Sequence, residues 1–123
     1  MEDSYKVRLK IGIWKHFSSM DFFMTDDQTV QIVITKLKPG ADAQKFLELS
    51  EKMHSWLKNQ DGFVSYELYS DETKYADRIV WKSRDDAEHV NHLFVASDIF
   101  KEMELLIDPD YMGFLGRKVT LNM

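Results

Sequence analysis

The order of hydrophobic periods along this 123-residue chain predicts an α+β fold, one antiparallel sheet of four strands with its helices on a single face. Three observations carry the prediction. Segments of period two and segments of helical period follow one another as strand, helix, strand, strand, helix, strand. The stretch DGFVSYELYSDE, with KYADRIVWKSR after Thr73, reads as two strands joined by a polar turn and running into a helix. The strands also carry apolar residues on both faces, more than one helical layer can cover. A chain of this length makes one domain, and the split βαβ order is that of ferredoxin-like folds.

The elements follow from local chemistry. Tyr5, Val7, Leu9, Ile11 and Ile13 alternate with Lys6, Arg8 and Lys10, which predicts an extra N-terminal strand within an arm over residues 1–28. The segment from His16 to Asp27 shows no clean period and reads as a packed connector. Residues 29–123 form the main domain. TVQIVITKLK, residues 29–38, is β-branched and apolar on both faces, and Pro39-Gly40 stops it. Asp42 caps a helix over about 42–59, with Phe46, Leu47, Met53 and Leu57 as its buried stripe and Asn59 to Gly62 as its stop. Residues 63–69 alternate Val64, Tyr66 and Leu68 against Ser65, Glu67 and Tyr69, and residues 76–82 return as the hairpin partner. Ser83 caps a second helix, with Asp85 and Asp86 in its first turn and Ala87, Val90, Leu93 and Phe94 inward. Ser97-Asp98 starts a short third helix with Ile99, Phe100 and Met103, and residues 113–121 make the last strand.

Composition excludes several functions. A net charge of −5 argues against a nucleic-acid footprint, which needs a basic stripe. With no cysteine there are no disulfides, thiolate metal sites or thiol nucleophiles, which fits a reducing, cytoplasmic setting. No apolar run approaches the ~20 residues of a membrane span, and the acidic start Met1-Glu2-Asp3 predicts no secretory signal and no membrane partner. Apolar residues on both faces of the sheet, Ile32 and Ile34 on one parity and Val33 and Leu37 on the other, leave one apolar face without helices, which predicts a homodimer.

The succession LKPG, amphipathic helix, DGFVSYELYSDE, IVWKSRDDAE and ASDIF resembles the antibiotic biosynthesis monooxygenase family of the dimeric α/β barrel superfamily, from Thr29 to about Pro109. Its marks are Lys38-Pro39-Gly40, Gly62-Phe63 with Tyr66-Glu67-Leu68, Trp81-Lys82-Ser83, and Ser97 with Phe100. The resemblance implies a dimeric barrel and oxygenation of a small phenol- or quinol-type aromatic without cofactor or metal. Such chemistry asks for a water-excluding pocket, a donor for phenolate charge and a base. Relatives that degrade haem carry an Asn, a Trp and a His where this chain has Val33, Phe94 and Glu104, so that activity is not implied.

The candidate catalytic residues are His54, Trp81, Asn91 and His92. Trp81 offers an indole N–H, although aromatics in central strands more often pack. His54 sits at the edge of the first helix's buried stripe, where it is a base or, more commonly, a half-buried structural histidine. Asn91 and His92 orient a substrate oxygen if their helix rolls toward the pocket. The candidate substrate-binding residues are Gln31, Val33 and Thr35 on one face of the first strand, with Tyr66 and Phe94. Asp85, His89 and His92 share a helix face, a spacing that holds a metal but more often marks a solvated surface. Two other classes stay open: a barrel that binds or cyclises a hydrophobic small molecule without oxidation, and a structural or regulatory dimer.

Overall fold

The computed structural model describes residues 28–121. The expected arm strand and its connector lie outside the described residues. The elements are β1 (Thr29–Thr35), α1 (Ala43–Leu57), β2 (Phe63–Ser70), β3 (Tyr75–Trp81), α2 (Arg84–Val95), α3 (Asp98–Glu104) and β4 (Met112–Arg117). All strand pairs are antiparallel in the order β2-β3-β1-β4, the ferredoxin-like sheet the sequence predicts.

Capping fixes where the helices begin. Asp42 accepts from the amides of Gln44 and Lys45 at 3.0 and 3.2 Å, Ser83 from Asp86 N at 3.1 Å, and Ser97 from Phe100 N at 3.2 Å. Each satisfies amide donors that have no intrahelical acceptor. The β2–β3 turn is closed by Asp71, whose carboxylate accepts from Thr73 N at 2.8 Å and Lys74 N at 2.7 Å. Gly62, at φ +84°, turns the chain into β2; a Cβ there would collide with the Asp86 carboxylate.

The core lies between the sheet and the helices, with Phe46, Leu49, Met53 and Leu57 from α1 against Ile79, Trp81 and Leu115 from the sheet. Leu49 is fully buried, a burial that stabilises by about 1.5–3 kcal/mol. Two stripe positions differ from expectation. Leu47 is 36% exposed and Leu49 takes its place, since Leu49 lies three residues from Phe46 on the same face. Leu93 is 43% exposed, leaving Ala87 and Val90 as the buried residues of α2.

The strands also end earlier than their sequences suggest. β1 stops at Thr35, after which Lys36 O accepts from Asp108 N at 2.7 Å and Lys38 N donates to Leu106 O at 2.8 Å. This segment pairs with the α3–β4 connection rather than with the sheet. β4 ends at Arg117 instead of continuing to Leu121.

A β-bulge decides which way β2 faces. Phe63 pairs with Trp81 and Ser65 with Val80, so Val64 is the extra residue. Val64 therefore does not share a face with Tyr66 and Leu68; it is 41% exposed. Beyond the bulge, Tyr66 lies opposite Ile79 and Leu68 opposite Asp77, both on the helix side. Without it, the period of two would carry Ser65 and Glu67 inward.

Candidate functional site

Strand parity assembles the site. On β1 the helix-facing positions are Thr29, Gln31, Val33 and Thr35; across the β1–β3 ladder they meet Trp81, Ile79, Asp77 and Tyr75. Between this face and helices α1, α2 and α3 lies a cavity of about 110 Å³. By volume it takes roughly four waters, or the ring of a small aromatic molecule. Its walls are apolar, Phe46, Met53, Val90, Phe94 and Phe100 among them, and the exposed Tyr111 and Val95 also line it. No lysine, arginine or histidine is among the lining residues described.

Two polar groups interrupt the apolar wall, and they are in opposite states. In the first, Gln31 and Asn91 face each other in a reciprocal amide pair. Gln31 Nε2 donates to Asn91 Oδ1 at 2.8 Å and Asn91 Nδ2 donates to Gln31 Oε1 at 2.9 Å. Gln31 Oε1 also accepts from Trp81 Nε1 at 2.9 Å, while Asn91 Nδ2 donates to Ala87 O at 2.7 Å. The anchors at the two ends are one-way groups: an indole N–H only donates and a carbonyl only accepts. They fix both amides, so the trio is closed. The Trp81 N–H, a candidate donor to a substrate, is spent on Gln31.

The second group is open. Asp77, 8% exposed, accepts a 2.5 Å hydrogen bond from the Tyr66 hydroxyl. Burial pushes its carboxyl from the ordinary 3.8 to about 6, and the Tyr66 hydrogen bond opposes that only in part. Tyr66 is raised well above its usual range, first by burial, then by the Asp77 charge and the bond it donates to Asp77, with Ser50 working weakly the other way. Beside Asp77 on the same face is Thr35, 6% exposed, whose Oγ1 has no hydrogen-bond partner among the described residues.

Of the residues singled out from sequence, Gln31, Val33, Thr35, Trp81, Asn91 and Phe94 line this cavity. Tyr66 stands behind Asp77 and reaches the site through it. His54 lies outside the lining, its ring 5.3 Å from that of Tyr66 and 6.2 Å from that of Phe63. His92 is exposed on α2, as are Asp85 and His89, and no cluster of three or more metal-ligating side chains occurs among the described residues. Sequence reasoning passed over Asp77. Counting back from Trp81 by twos reaches Ile79 and then Asp77, and aspartate is depleted in strand interiors, so its inward parity was a readable signal.

With this geometry in place, comparison with solved structures becomes specific. The chain has the fold of the oxygenase SnoaB. A variant of SnoaB, a cofactor-independent oxygenase from Streptomyces nogalater, aligns with 77% of this chain and 96% of its own at 14% identity, with a TM-score of 0.64. A conserved protein from Methanosarcina mazei Go1 aligns over 80% and 99% at 18% identity, TM-score 0.63. A Nitrosomonas europaea protein provisionally described as an antibiotic biosynthesis monooxygenase aligns over 77% and 94% at 16% identity, TM-score 0.60. Neither a family model nor a curated protein sequence matches the chain. At these identities the likeness is one of fold, and it agrees with the resemblance read from the sequence. Among the described residues no helix is long and apolar enough to cross a membrane.

Proposed function

We propose that the chain is a cofactor-independent monooxygenase that oxidises a small phenol- or quinol-type aromatic in the cavity between sheet and helices. The observation that carries this reading is Asp77: a carboxylate in an apolar cavity, without a cation beside it, poised at about 6. A base so placed is matched to proton removal near neutral pH. The fold it shares with an oxygenase of that class supports the same reading.

The chemistry balances without a further reactant. Asp77 takes the phenol proton, and the phenolate passes one electron to dioxygen. The resulting radical pair joins as a carbon–oxygen bond at a ring carbon that carries hydrogen. The peroxide then breaks its O–O bond: the C–H electron pair of that carbon forms C=O, its proton passes to the distal oxygen, and that oxygen departs as hydroxide. Protonated Asp77 returns its proton to the departing hydroxide, so phenol plus O₂ gives quinone plus water. The apolar walls keep solvent from the radical pair.

A homodimer through the outer sheet face belongs to the same proposal. Ile34 is 38% exposed, Phe114 55% and Met112 69%, a contiguous apolar stripe on β1 and β4 that a second copy would cover.

Oxygen uptake with a panel of quinols and anthrones tests the activity. The expected result is turnover above the uncatalysed rate, with kcat/KM rising as pH passes about 6 and falling at least ~100-fold in Asp77→Asn. Absence of turnover across the panel would overturn it. The closed Gln31–Asn91–Trp81 trio favours one second reading, a barrel that binds a hydrophobic molecule without oxidising it. Ligand-induced melting shifts without oxygen consumption would select that one.

A further inference from the structure

We infer that Thr35 and Asp77 form a two-sided subsite for a single neutral hydroxyl group on an aromatic ligand, the hydroxyl donating to Asp77 while Thr35 donates to the same oxygen. This rests on the reading that the cavity takes a phenolic molecule, and it assigns the atoms that recognise it.

The placement comes from register. Thr35 pairs with Tyr75 and Asp77 is two residues further along β3, so the two are diagonal neighbours on one face. Diagonal neighbours across an antiparallel pair are ~7–8 Å apart at the backbone. Their short side chains take up part of that span and leave room for one bridging oxygen with two O–H···O bonds of about 2.7 Å. They do not bond each other directly, since Thr35 Oγ1 is unpartnered. A buried hydroxyl without a partner is rare and costly, and Thr35 and Asp77 are both lining residues of the cavity. Thr29 Oγ1 is also unpartnered, but Thr29 is not part of the lining.

The chemistry of the pair selects its occupant. A carboxylate or phosphate ligand would meet Asp77 with like charge, and no cationic side chain is among the lining residues to offset it. An ether or ketone can accept from Thr35 but leaves the carboxylate without a donor. An ammonium can satisfy Asp77 but leaves the Thr35 proton without an acceptor. One hydroxyl oxygen meets both needs. When its proton moves to Asp77, the phenolate oxygen then accepts from both Asp77 O–H and Thr35 O–H, so the developing charge is held by two donors and the net charge of the group is unchanged.

The test is anaerobic binding, which separates recognition from turnover. 1-Naphthol, 1-methoxynaphthalene and 1-naphthylmethylammonium are titrated calorimetrically into wild type, Thr35→Val and Thr35→Ser at pH 7.5. Wild type is expected to bind the naphthol about tenfold or more tighter than its methyl ether. Thr35→Val should lose most of that preference while Thr35→Ser keeps it. Thr35→Val should also melt higher than wild type without ligand, because it removes a buried unpaired hydroxyl, whereas a threonine with a merely structural role would melt lower when replaced. Equal naphthol preference in wild type and Thr35→Val overturns the inference, as does preferred binding of the ammonium. Thr35-dependent naphthol binding without oxygen uptake would leave the subsite standing and remove the oxygenase reading; turnover indifferent to Thr35→Val would do the reverse.

Discussion

Replacing Asp77 with Asn separates the electrostatics of the site from its packing. The carboxyl is held at about 6 against an ordinary 3.8, a displacement equivalent to about 3 kcal/mol of differential interaction. Its sign follows from linkage: the unfolded chain releases this proton near 3.8 while the folded chain holds it to about 6. The destabilisation is therefore absent below the lower value, grows across the interval and is complete above about 6. About 2 kcal/mol of it develops between pH 4.5 and pH 7.5. The asparagine amide carries a fixed penalty of its own, about 1–3 kcal/mol if its NH₂ finds no acceptor, so the absolute stability of the variant is a poor measure. The pH dependence is the better one. Urea unfolding of both proteins at fixed concentration from pH 4.5 to 7.5 should show the variant gaining about 2 kcal/mol on wild type as pH rises. A stability difference that stays constant over that range, or moves the other way, would refute the account of Asp77 as a buried, uncompensated carboxylate.

Two further outcomes test the neighbouring features. Gln31→Leu strips the acceptor from Trp81 Nε1, which is 1% exposed, and both Gln31 hydrogen bonds from Asn91, which keeps only Ala87 O. It should cost about 2–4 kcal/mol in urea unfolding, and a loss below ~1 kcal/mol would mean the trio contributes little. Phe114→Glu places a charge on the apolar outer face of β4 without touching the core, so it should leave the circular dichroism spectrum unchanged and shift sedimentation equilibrium from dimer to monomer. Wild type sedimenting as a monomer at micromolar concentration would sink the proposed dimer.

The fold was legible because its signals are local. Asp42, Ser83 and Ser97 mark helix starts by a capping chemistry that needs no tertiary context, and β1 and β3 declare themselves by β-branched, two-faced sequences. Errors arose where a neighbour on the helix competes: Leu47 lies next to Phe46 and Leu93 next to Phe94, and an apolar residue one position off the stripe reads as part of it. The bulge at Val64 was not legible. No glycine or proline marks it, and only the pairing of both flanks with β3 reveals that one residue is extra.

The site divides along the same line. Gln31, Thr35 and Trp81 follow from strand parity once one face is known to meet helices, and Asn91 follows from the helical spacing that buries Ala87. What parity does not convey is how these groups are used. Trp81 and Gln31 satisfy each other, a fact that depends on two strands being in register over fifty positions of sequence. Asp77 was hidden by its type, because a charged residue in a strand is ordinarily assigned to the solvent side.

The two polar groups in the cavity are physically unequal, and the inequality bears on function. The Gln31–Asn91 contact is anchored at both ends by groups that cannot reverse their role, Trp81 N–H and Ala87 O, so a ligand can disturb it only at a cost. The Asp77–Thr35 side has an unneutralised charge and an unanswered hydroxyl at neutral pH, and the folded chain is less stable for it by an amount set by burial. A ligand that donates to one and accepts from the other recovers part of that amount as binding free energy, and it does so at the atom whose charge must change in the reaction. Nothing comparable is available to a ligand that meets the aromatic walls alone. The instability of the empty site and the selectivity of the filled one are then linked, and Thr35→Val, which relieves part of the first, should remove most of the second.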